Sequence, residues 1–421
     1  MKVLCIHQNF PGQYKHLAPA LAQQGHQVVG LGEVKQRPEI PGVQQISYNP
    51  PQPGSSTTHH YLQGFEGQVR RGQQVLRSLQ ELQKKGFTPD LILAHPGWGE
   101  ALYVKDIFPT VPLIGLFEFY YHGHGHDVGF DPEFPLNQVN LDKQCKIRTR
   151  NVNHLLALEA VDMGVCPTIY QKSVHPAVFH SKLQVIHDGI NTHVACPDSN
   201  VTMTLNQNGE AITLTRQSEV ITFVSRNLEH YRGFHIFMRA LPSILNRRPQ
   251  AHVVIVGGDS VSYGPAAPKG KTWKQIYLDH VQDQLDLNRV YLFDRLLYNQ
   301  LIQLFQLSSV HVYLTYPFVL SWSVLEAMSC GCLVVGSRTA PVQEVIRDGE
   351  NGFLVNFFSP EEICDRINQV LDSPDRMQQI RDHARQDVIT RYDLHQVCLP
   401  QQLDLIHTVM AERQGKTFNE P

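Results

Sequence analysis

Two arginines near the middle of the chain have the type and spacing to bind a diphosphate. Arg226 ends the β-prone run TFVSR, and Arg232 precedes Gly233 and the helical pattern FHIFMRALPSILNRR. Guanidinium groups bind phosphate oxygens through paired hydrogen bonds, and the free N–H groups at a helix N-terminus favour anions. The spacing therefore indicates a diphosphate clamp, with a surface arginine pair as the alternative.

A second candidate anion site lies where another helical pattern begins, in SWSVLEAMSCG (321–331). Ser323 and Glu326 have the S-x-x-E spacing of a capping box, in which Glu326 would only satisfy backbone donors. The alternative is that the amides at this helix start bind an anion. The strand patterns on either side of this segment favour the second interpretation.

Together these segments resemble glycosyltransferase family 4, the retaining group 1 enzymes with the GT-B fold. The family signature runs from an R…K-G pair through G-x-G and E-x7-E-A-M to E-V-V-x-D-G. The matching segments are Arg226 with Arg232-Gly233, Gly257-Gly258-Asp259, LEAMSCGCLVVGS (325–337) and EVIRDGENGFLV (344–355). The resemblance covers most of 219–390, and it extends more weakly to the N-terminal half.

The resemblance implies roles for these residues. Arg226 and Arg232 would hold the diphosphate of a UDP-, GDP- or ADP-sugar and stabilise charge on the leaving group. Glu326 would bond the ribose hydroxyls. The expected donor-binding residues are Gly12, Gly258, Arg295, Ser321, Trp322, Ser323, Val324 and Glu326. Enzymes of this family generally work without a metal, so we expect neither a metal nor another cofactor.

The chain departs from the family pattern at three positions. The first Glu of E-x7-E is Phe318, so the usual acidic contact to the transferred sugar is missing. Arg232 replaces the Lys of the diphosphate pair, which keeps the charge and changes its geometry. Glu118 stands where the family often has a His. Glu118 is thus a candidate catalytic residue that would shape the transfer site or take the acceptor proton, with a structural hydrogen-bond acceptor as the alternative.

Other candidate acceptor-binding residues are histidines and an aspartate of the N-terminal half. His95 ends the run LILAH, where a half-buried structural histidine is the alternative. In YYHGHGHDVGF, His122 and Asp127 belong to a loop with alternating histidines. Such histidines could bind a transition metal, but no second ligand cluster is evident in the sequence. We therefore interpret the segment as an acceptor-binding loop.

Gly12 lies in the loop HQNFPG after the first strand pattern, just before a helix. The absence of a side chain there would let donor phosphates approach the backbone. No G-x-G-x-x-G follows either first strand, which argues against an NAD-dependent oxidoreductase.

The helix predicted over 69–86 has a basic face opposite an apolar one. The basic residues are Arg70, Arg71, Arg77, Lys84 and Lys85. Such a face could rest on anionic lipid beside a lipid-linked acceptor, and the alternative is a solvated helix face.

The elements that must position these residues follow from alternating strand and helix patterns, which occur twice along the 421 residues. This alternation predicts an α/β protein, and with the resemblance a GT-B fold of two Rossmann-like doubly wound parallel-sheet domains facing a cleft. We expect an acceptor-side domain over 1–192 and a nucleotide-sugar-binding domain over 193–393. A hairpin insertion at about 201–216 turns at Asn208-Gly209, and a helix at about 394–413 packs back on the first domain.

Composition limits the function classes. A formal charge of −3, with 42% hydrophobic and 18% charged residues, does not fit a dedicated nucleic-acid binder or a disordered chain. Eight scattered cysteines and the short apolar run at the N-terminus predict a cytoplasmic protein, with membrane association on the cytosolic face only through 69–86.

The resemblance implies a retaining glycosyltransferase of polysaccharide or glycoconjugate biosynthesis. Its acceptor would be a glycan, a lipid-linked molecule or a small molecule. The alternatives are a nucleotide-sugar epimerase of the same fold and a non-catalytic nucleotide-sugar-binding protein.

Overall fold

The computed structural model describes residues 1–33, 38–134, 140–207 and 210–417. The chain divides into two compact units: unit 1 is Met1–Asp188 with Cys398–Pro421, and unit 2 is Gly189–Val397. The division lies four residues before the expected 192/193 boundary. The reason is that the Ile190 backbone bonds Tyr392 and Leu394, both in unit 2.

Unit 1 contains a seven-stranded parallel sheet of order β3-β2-β1-β4-β5-β6-β7. Its strands are short apolar runs, and several are buried on both faces, as helices cover a parallel sheet on both sides. The strands are β1 Lys2–Ile6, β2 Gln27–Gly32, β3 Val43–Ser47, β4 Leu91–Ala94, β5 Leu113–Leu116, β6 Met163–Cys166 and β7 Leu183–Val185. The order reverses between β1 and β4, and doubly wound sheets bind ligands at that switch point.

Helices cover both faces of this sheet. They are α1 Leu17–Gln23, α2 Gln63–Lys84, α3 Val104–Ile107, α4 Leu141–Arg150, α5 Val152–Ala160, α6 Ile169–Ser173 and the C-terminal α14 Leu399–Thr417. Val75 and Leu79 of α2 pack on one face, whereas Ile406 and Val409 of α14 pack on the other, beside α1. The sequence pattern over about 137–164 predicts a long helical stretch, but the structure has α4, α5 and the start of β6 there, and residues 137–139 lie outside the described residues.

Unit 2 contains a six-stranded parallel sheet of order β12-β11-β10-β13-β14-β15. Its strands are β10 Val220–Asn227, β11 His252–Gly258, β12 Val290–Phe293, β13 Val310–Tyr313, β14 Leu333–Ser337 and β15 Phe353–Val355. A separate antiparallel hairpin precedes them, made of β8 Thr202–Gln207 and β9 Glu210–Thr215. Met203 and Leu205 of the hairpin pack on Val254 of β11. The expected turn residues, Asn208 and Gly209, lie outside the described residues.

The helices of unit 2 follow its strands in alternation. They are α7 Phe234–Arg247, α8 Trp273–Val281, α9 Tyr298–Leu307, α10 Trp322–Ser329, α11 Ala340–Gln343, α12 Pro360–Asp372 and α13 Gln378–Tyr392. The α7 helix begins directly after Gly233, whose φ of +68° favours glycine. A Cβ there would also lie 2.5 Å from that of Leu314, so the sharp turn into α7 requires this glycine.

Candidate functional site

The carboxyl ends of three neighbouring strands in unit 2 carry residues predicted for the donor site. Arg226 is the penultimate residue of β10, Gly258 ends β11, and Arg295 follows β12. Because the strands are parallel, all three lie at one edge of the sheet. Arg226 and Arg295 are exposed, and neither makes a side-chain hydrogen bond or ion pair within the described parts of the chain. A Cβ at Gly258 would lie 2.8 Å from Asn227 Oδ1, so the Asn227 side chain would have to shift to accept one.

Arg232 has a different environment from Arg226. Its guanidinium is buried, and Nη1 donates to Thr315 Oγ1 at 2.7 Å and to the Val319 carbonyl at 3.1 Å. Nη1 also lies 3.3 Å from the Tyr313 hydroxyl. The two predicted diphosphate-binding arginines therefore differ in environment: Arg226 is exposed, whereas Arg232 is buried and binds the turn between β13 and α10. Their joint role in diphosphate binding stays a prediction.

The loop after β11 is held by a residue that the sequence did not single out. Glu229 is 1% exposed, and its carboxylate accepts hydrogen bonds from the amides of Ser262, Tyr263 and Gly264 at 3.0, 3.3 and 2.9 Å. Tyr263 in turn places its ring 5.4 Å from the Arg232 guanidinium. Glu229 thus positions the loop that flanks Arg232, and no local sequence signal marks it.

The start of α10 is the second predicted anion site. The helix begins at Trp322 with Ser321 as its N-cap residue, and the Ser321 side chain makes no capping bond. Instead Ser321 Oγ lies 3.0 Å from Ser323 Oγ, and the Ser321 amide donates to the Tyr313 hydroxyl at 2.8 Å. Val324 is fully buried.

Glu326 lies too far into α10 to form a capping box with Ser323. Its buried carboxylate instead accepts a hydrogen bond from the Tyr298 hydroxyl at the start of α9. Burial and the neighbouring Glu326 carboxylate raise the pKa of Tyr298, so this phenol stays protonated and donates. The structural alternative considered for Glu326, backbone capping, is therefore excluded by the geometry.

Phe318 stands at the family's usual first Glu position and is buried among aromatic side chains. Its ring meets Tyr231 edge-on at 5.7 Å and lies 4.8 Å from the ring of Tyr263. The position therefore supplies packing for the loop beside Arg232, where the family has a carboxylate.

Unit 1 brings together residues from the carboxyl ends of β1, β4 and β5. His95 Nε2 lies 3.3 Å from Glu118 Oε2, and Gln13 Nε2 donates to Glu118 Oε1 at 2.7 Å. Gln13 Oε1 in turn lies 2.7 Å from His7 Nε2. The Nδ1 atoms of His7 and His95 accept from the amides of Asn9 and Gly97. His7 therefore donates through Nε2–H to Gln13, whereas His95 Nε2 makes no hydrogen bond within the described residues.

His7 and Gln13 were not predicted as site residues. A usable signal was that His7 directly follows the apolar strand β1, which ends at Ile6. Burial lowers the pKa of His7 to about 3, so its imidazole is neutral near pH 7. Gln13 contacts Glu118 from a position 105 residues earlier, which no local pattern reveals.

Gly12 is needed for its contact with His7, and not for the predicted approach of a phosphate. Its φ is +48°, and an added Cβ would lie 2.4 Å from the His7 imidazole. The His7 ring thus fills the space that the missing side chain leaves, which was predicted to admit a donor phosphate.

His122 and Asp127 each contact other residues of unit 1. His122 Nε2 lies 2.6 Å from the Val174 carbonyl. Asp127 is 2% exposed and lies close enough to Tyr170 to raise the pKa of that phenol, together with the larger effect of burial. The expectation that Asp127 contacts an acceptor is not supported by this burial, because the carboxylate does not face solvent.

Comparison with known proteins identifies the family. Residues 24–195 match the glycosyl transferase family 4 group, and residues 208–387 match the glycosyl transferases group 1. Both matched segments, which together span most of the chain, belong to glycosyltransferase families. This assignment confirms the resemblance inferred from the C-terminal motifs.

Curated relatives of this glycosyltransferase match only part of its length. Spore coat protein SA of Bacillus subtilis is 24% identical over 42% of the chain and 46% of its own length. D-inositol 3-phosphate glycosyltransferase of Corynebacterium diphtheriae is 26% identical over 47% of the chain and 44% of its own length. The chain thus matches less than half the length of these relatives.

Solved structures similar to this glycosyltransferase share its fold. Sucrose-phosphate synthase from Thermosynechococcus elongatus superposes with a TM-score of 0.73 at 17% identity, over 98% of the chain and all of that protein. HepE from Anabaena, in complex with UDP-glucose, gives 0.61 at 18% identity over 97% and 99%. The predicted GT-B class, with two parallel-sheet α/β units, is confirmed.

The basic face predicted for helix 69–86 of the glycosyltransferase is incomplete. Arg71 turns inward and pairs with Glu33 at 3.1 Å and with the fully buried Glu100 at 3.7 Å. Arg70 and Lys84 pair with acidic residues of α2 itself. The described helices include none that is both long and apolar enough to cross a membrane.

Proposed function

We propose that this chain transfers a sugar from a nucleotide-diphosphate sugar to an acceptor, with retention of configuration and without a metal ion. The observation that carries the proposal is the exposed Arg226 guanidinium at the carboxyl end of β10. It has no side-chain partner in the described residues and shares a sheet edge with Gly258 and Arg295. A UDP-sugar is the first donor to test, because HepE was solved with UDP and UDP-glucose.

In the proposed reaction, positive charge at Arg226 stabilises the diphosphate as the bond between the sugar C1 and the phosphate oxygen breaks. The amides at the start of α10 add the partial positive charge of a helix N-terminus. Glu326 accepts from a ribose hydroxyl while Tyr298 holds its carboxylate in place. Arg232 contributes by holding the β13–α10 turn, which positions the start of α10.

Glu118 is the residue that we propose takes the proton of the acceptor. As the acceptor oxygen forms its bond to the sugar C1, its proton passes to the Glu118 carboxylate. Gln13 holds one oxygen of this carboxylate by a hydrogen bond, and His95 Nε2 lies 3.3 Å from the other oxygen. The half-exposed side chain is accessible to an acceptor hydroxyl.

The proposal is tested first by thermal unfolding of the purified chain with UDP-glucose, GDP-mannose or ADP-glucose. A donor that binds the folded chain raises the apparent Tm. In Arg226→Ala the affinity for that donor should fall at least tenfold, because a charge-assisted hydrogen bond to phosphate is worth about 1.5–3 kcal/mol. Arg77→Ala, which removes an exposed arginine of α2, is the matched control.

Turnover tests the remaining parts of the proposal. Transfer should continue in EDTA and the product anomer should match the donor. Unchanged donor affinity in Arg226→Ala would contradict the diphosphate site. Conversion of the nucleotide sugar to its epimer without any acceptor would contradict the transfer itself.

A further inference from the structure

Tyr263 is an exposed aromatic residue at the edge of unit 2 that carries the donor-site candidates. It lies in the loop after β11, next to Ser262, whose hydroxyl accepts a hydrogen bond from Asn227 Nδ2 at 2.7 Å. Asn227 ends β10 and directly follows Arg226. The loop thus keeps Tyr263 close to the end of β10, near the arginine proposed to bind the diphosphate.

The backbone of this loop is held independently of the Tyr263 ring. The buried Glu229 carboxylate accepts hydrogen bonds from three successive amides, those of Ser262, Tyr263 and Gly264. Because these bonds use backbone donors, a substitution of the Tyr263 side chain leaves them in place. The position of the ring is therefore set before a ligand binds.

The Tyr263 ring contacts other side chains of unit 2 and still remains accessible. Its centroid lies 4.8 Å from that of Phe318 and 5.4 Å from the Arg232 guanidinium. Phe318 is 3% exposed, whereas Tyr263 is 37% exposed. Tyr263 therefore covers Phe318 and offers the exposed part of its own ring to a ligand.

Arg232 connects Tyr263 with the start of α10. The guanidinium beside the Tyr263 ring lies 3.3 Å from the Tyr313 hydroxyl, which accepts a hydrogen bond from the Ser321 amide. Tyr263 is thus linked to both elements that are proposed to bind the diphosphate, the end of β10 and the start of α10. A sugar bonded to a diphosphate held there would lie beside the Tyr263 ring.

The chemistry of this place differs from the family pattern, because Phe318 stands where the family has a carboxylate that contacts the transferred sugar. An aromatic ring gives sugar hydroxyls no hydrogen-bond partner, and burying an unpaired hydroxyl costs free energy. The C–H groups of a pyranose, in contrast, form an apolar face that can pack on the electron-rich face of an aromatic ring. The exposed Tyr263 ring suits that face.

We propose that Tyr263 is a specificity-determining residue that binds the transferred sugar by stacking on the C–H face of a pyranose. The inference rests on the proposed donor binding and deepens it, because it gives the sugar a contact separate from those of the nucleotide and the diphosphate. The donor is accordingly a nucleotide-activated pyranose that is recognised here by its apolar face and not by a carboxylate.

The test measures the dissociation constants of UDP-glucose and UDP by isothermal titration calorimetry, with the full chain and without an acceptor. GDP-mannose with GDP and ADP-glucose with ADP are measured in parallel. In Tyr263→Ala the ratio of the Kd of the nucleotide sugar to that of the nucleotide should rise about tenfold over the wild type, the effect of leaving about two methylene groups unburied. An unchanged ratio would overturn the proposal. This outcome includes an equal loss of affinity for both ligands, which is expected if the ring stacks on the nucleobase instead.

Further variants separate the ring from the hydroxyl and from general effects. Tyr263→Phe keeps the ring, so the ratio should stay within about twofold of the wild type; a ratio as high as that of Tyr263→Ala would overturn the stacking. Tyr263→Ser replaces Tyr263→Ala if the latter does not fold. Phe358→Ala is the matched control, because Phe358 is a 36% exposed aromatic residue that follows β15, three strands away from β10, and its loss should leave the ratio unchanged.

The affinity for the nucleotide alone separates this inference from the proposed function. A raised ratio in Tyr263→Ala, with unchanged affinity for UDP in Arg226→Ala, would support the sugar contact and contradict the diphosphate site. An unchanged ratio in Tyr263→Ala, with at least a tenfold loss of affinity for UDP in Arg226→Ala, would contradict only the sugar contact.

Discussion

At the scale of single residues, the environment of Glu118 depends on contacts with distant parts of unit 1. One carboxylate oxygen accepts from Gln13 and the other lies 3.3 Å from His95. His7 fixes Gln13 in turn, and Gly12 leaves the space that the His7 ring fills. A change at Gly12, which does not touch Glu118, should therefore disturb the carboxylate through two intermediate side chains.

Gly12→Ala is expected to destabilise the chain by about 2 kcal/mol or more, because the new Cβ needs both a left-handed backbone and the space of the His7 ring. Gly25→Ala is the control. Gly25 also has a positive φ, but a Cβ there meets nothing within 4 Å, so the expected cost is about 1 kcal/mol. Urea unfolding measures both. Equal losses would show that the contact with His7 costs nothing.

At the scale of elements, Arg232 links the end of β13 to the start of α10. One guanidinium nitrogen meets Thr315, Val319 and Tyr313. The Tyr313 hydroxyl also accepts from the Ser321 amide, the N-cap residue of α10. The position of this helix start therefore depends on the buried Arg232 guanidinium. The same holds for the amides that are proposed to bind phosphate.

Arg232→Ala should lower the free energy of unfolding by about 3 kcal/mol, because it leaves Thr315 and the Val319 carbonyl without their donor inside unit 2. Arg226→Ala should change it by less than about 0.5 kcal/mol, because that side chain is exposed and unpaired within the described residues. Chemical denaturation compares the two purified variants. A loss of the same size in both would contradict the distinction between the buried and the exposed arginine.

At the scale of the whole molecule, burial keeps five histidines neutral near pH 7, four in unit 1 and one in unit 2. Burial lowers the pKa of His7 and His154 to about 3 and that of His175 and His187 to about 4 in unit 1. In unit 2 burial lowers the pKa of His311 to about 3. In the unfolded chain histidines titrate near 6.5, so between about pH 4 and 6.5 the unfolded state binds more protons.

The free energy of unfolding should therefore fall as the pH drops below about 6.5, and these histidines should contribute no pH dependence well above it. Each contributes up to about 1.4 kcal/mol per pH unit in that window. His311→Gln should reduce the slope by up to that amount, measured by urea unfolding at several pH values. His407→Gln, at an exposed position of α14, is the control. An unchanged slope in His311→Gln would contradict the neutral buried state.

The sequence by itself determined the fold class and the edge of the sheet that carries the donor-site candidates. Alternating apolar runs and amphipathic segments predict parallel sheets, and a residue that follows a strand in such a sheet must lie at its carboxyl edge. For that reason Arg226, Gly258 and Arg295 could be assigned to one edge from their positions alone. The family motifs supplied the identity of the fold.

Only the tertiary structure decided which side chains are accessible. In the structure Arg232 is buried and holds the β13–α10 turn, whereas Arg226 is exposed. Asp127 is buried inside unit 1. The tertiary structure also brought Gln13 to Glu118 across 105 residues. Local periodicity shows which face of an element is apolar, whereas burial and long-range hydrogen bonds depend on how separate elements pack together.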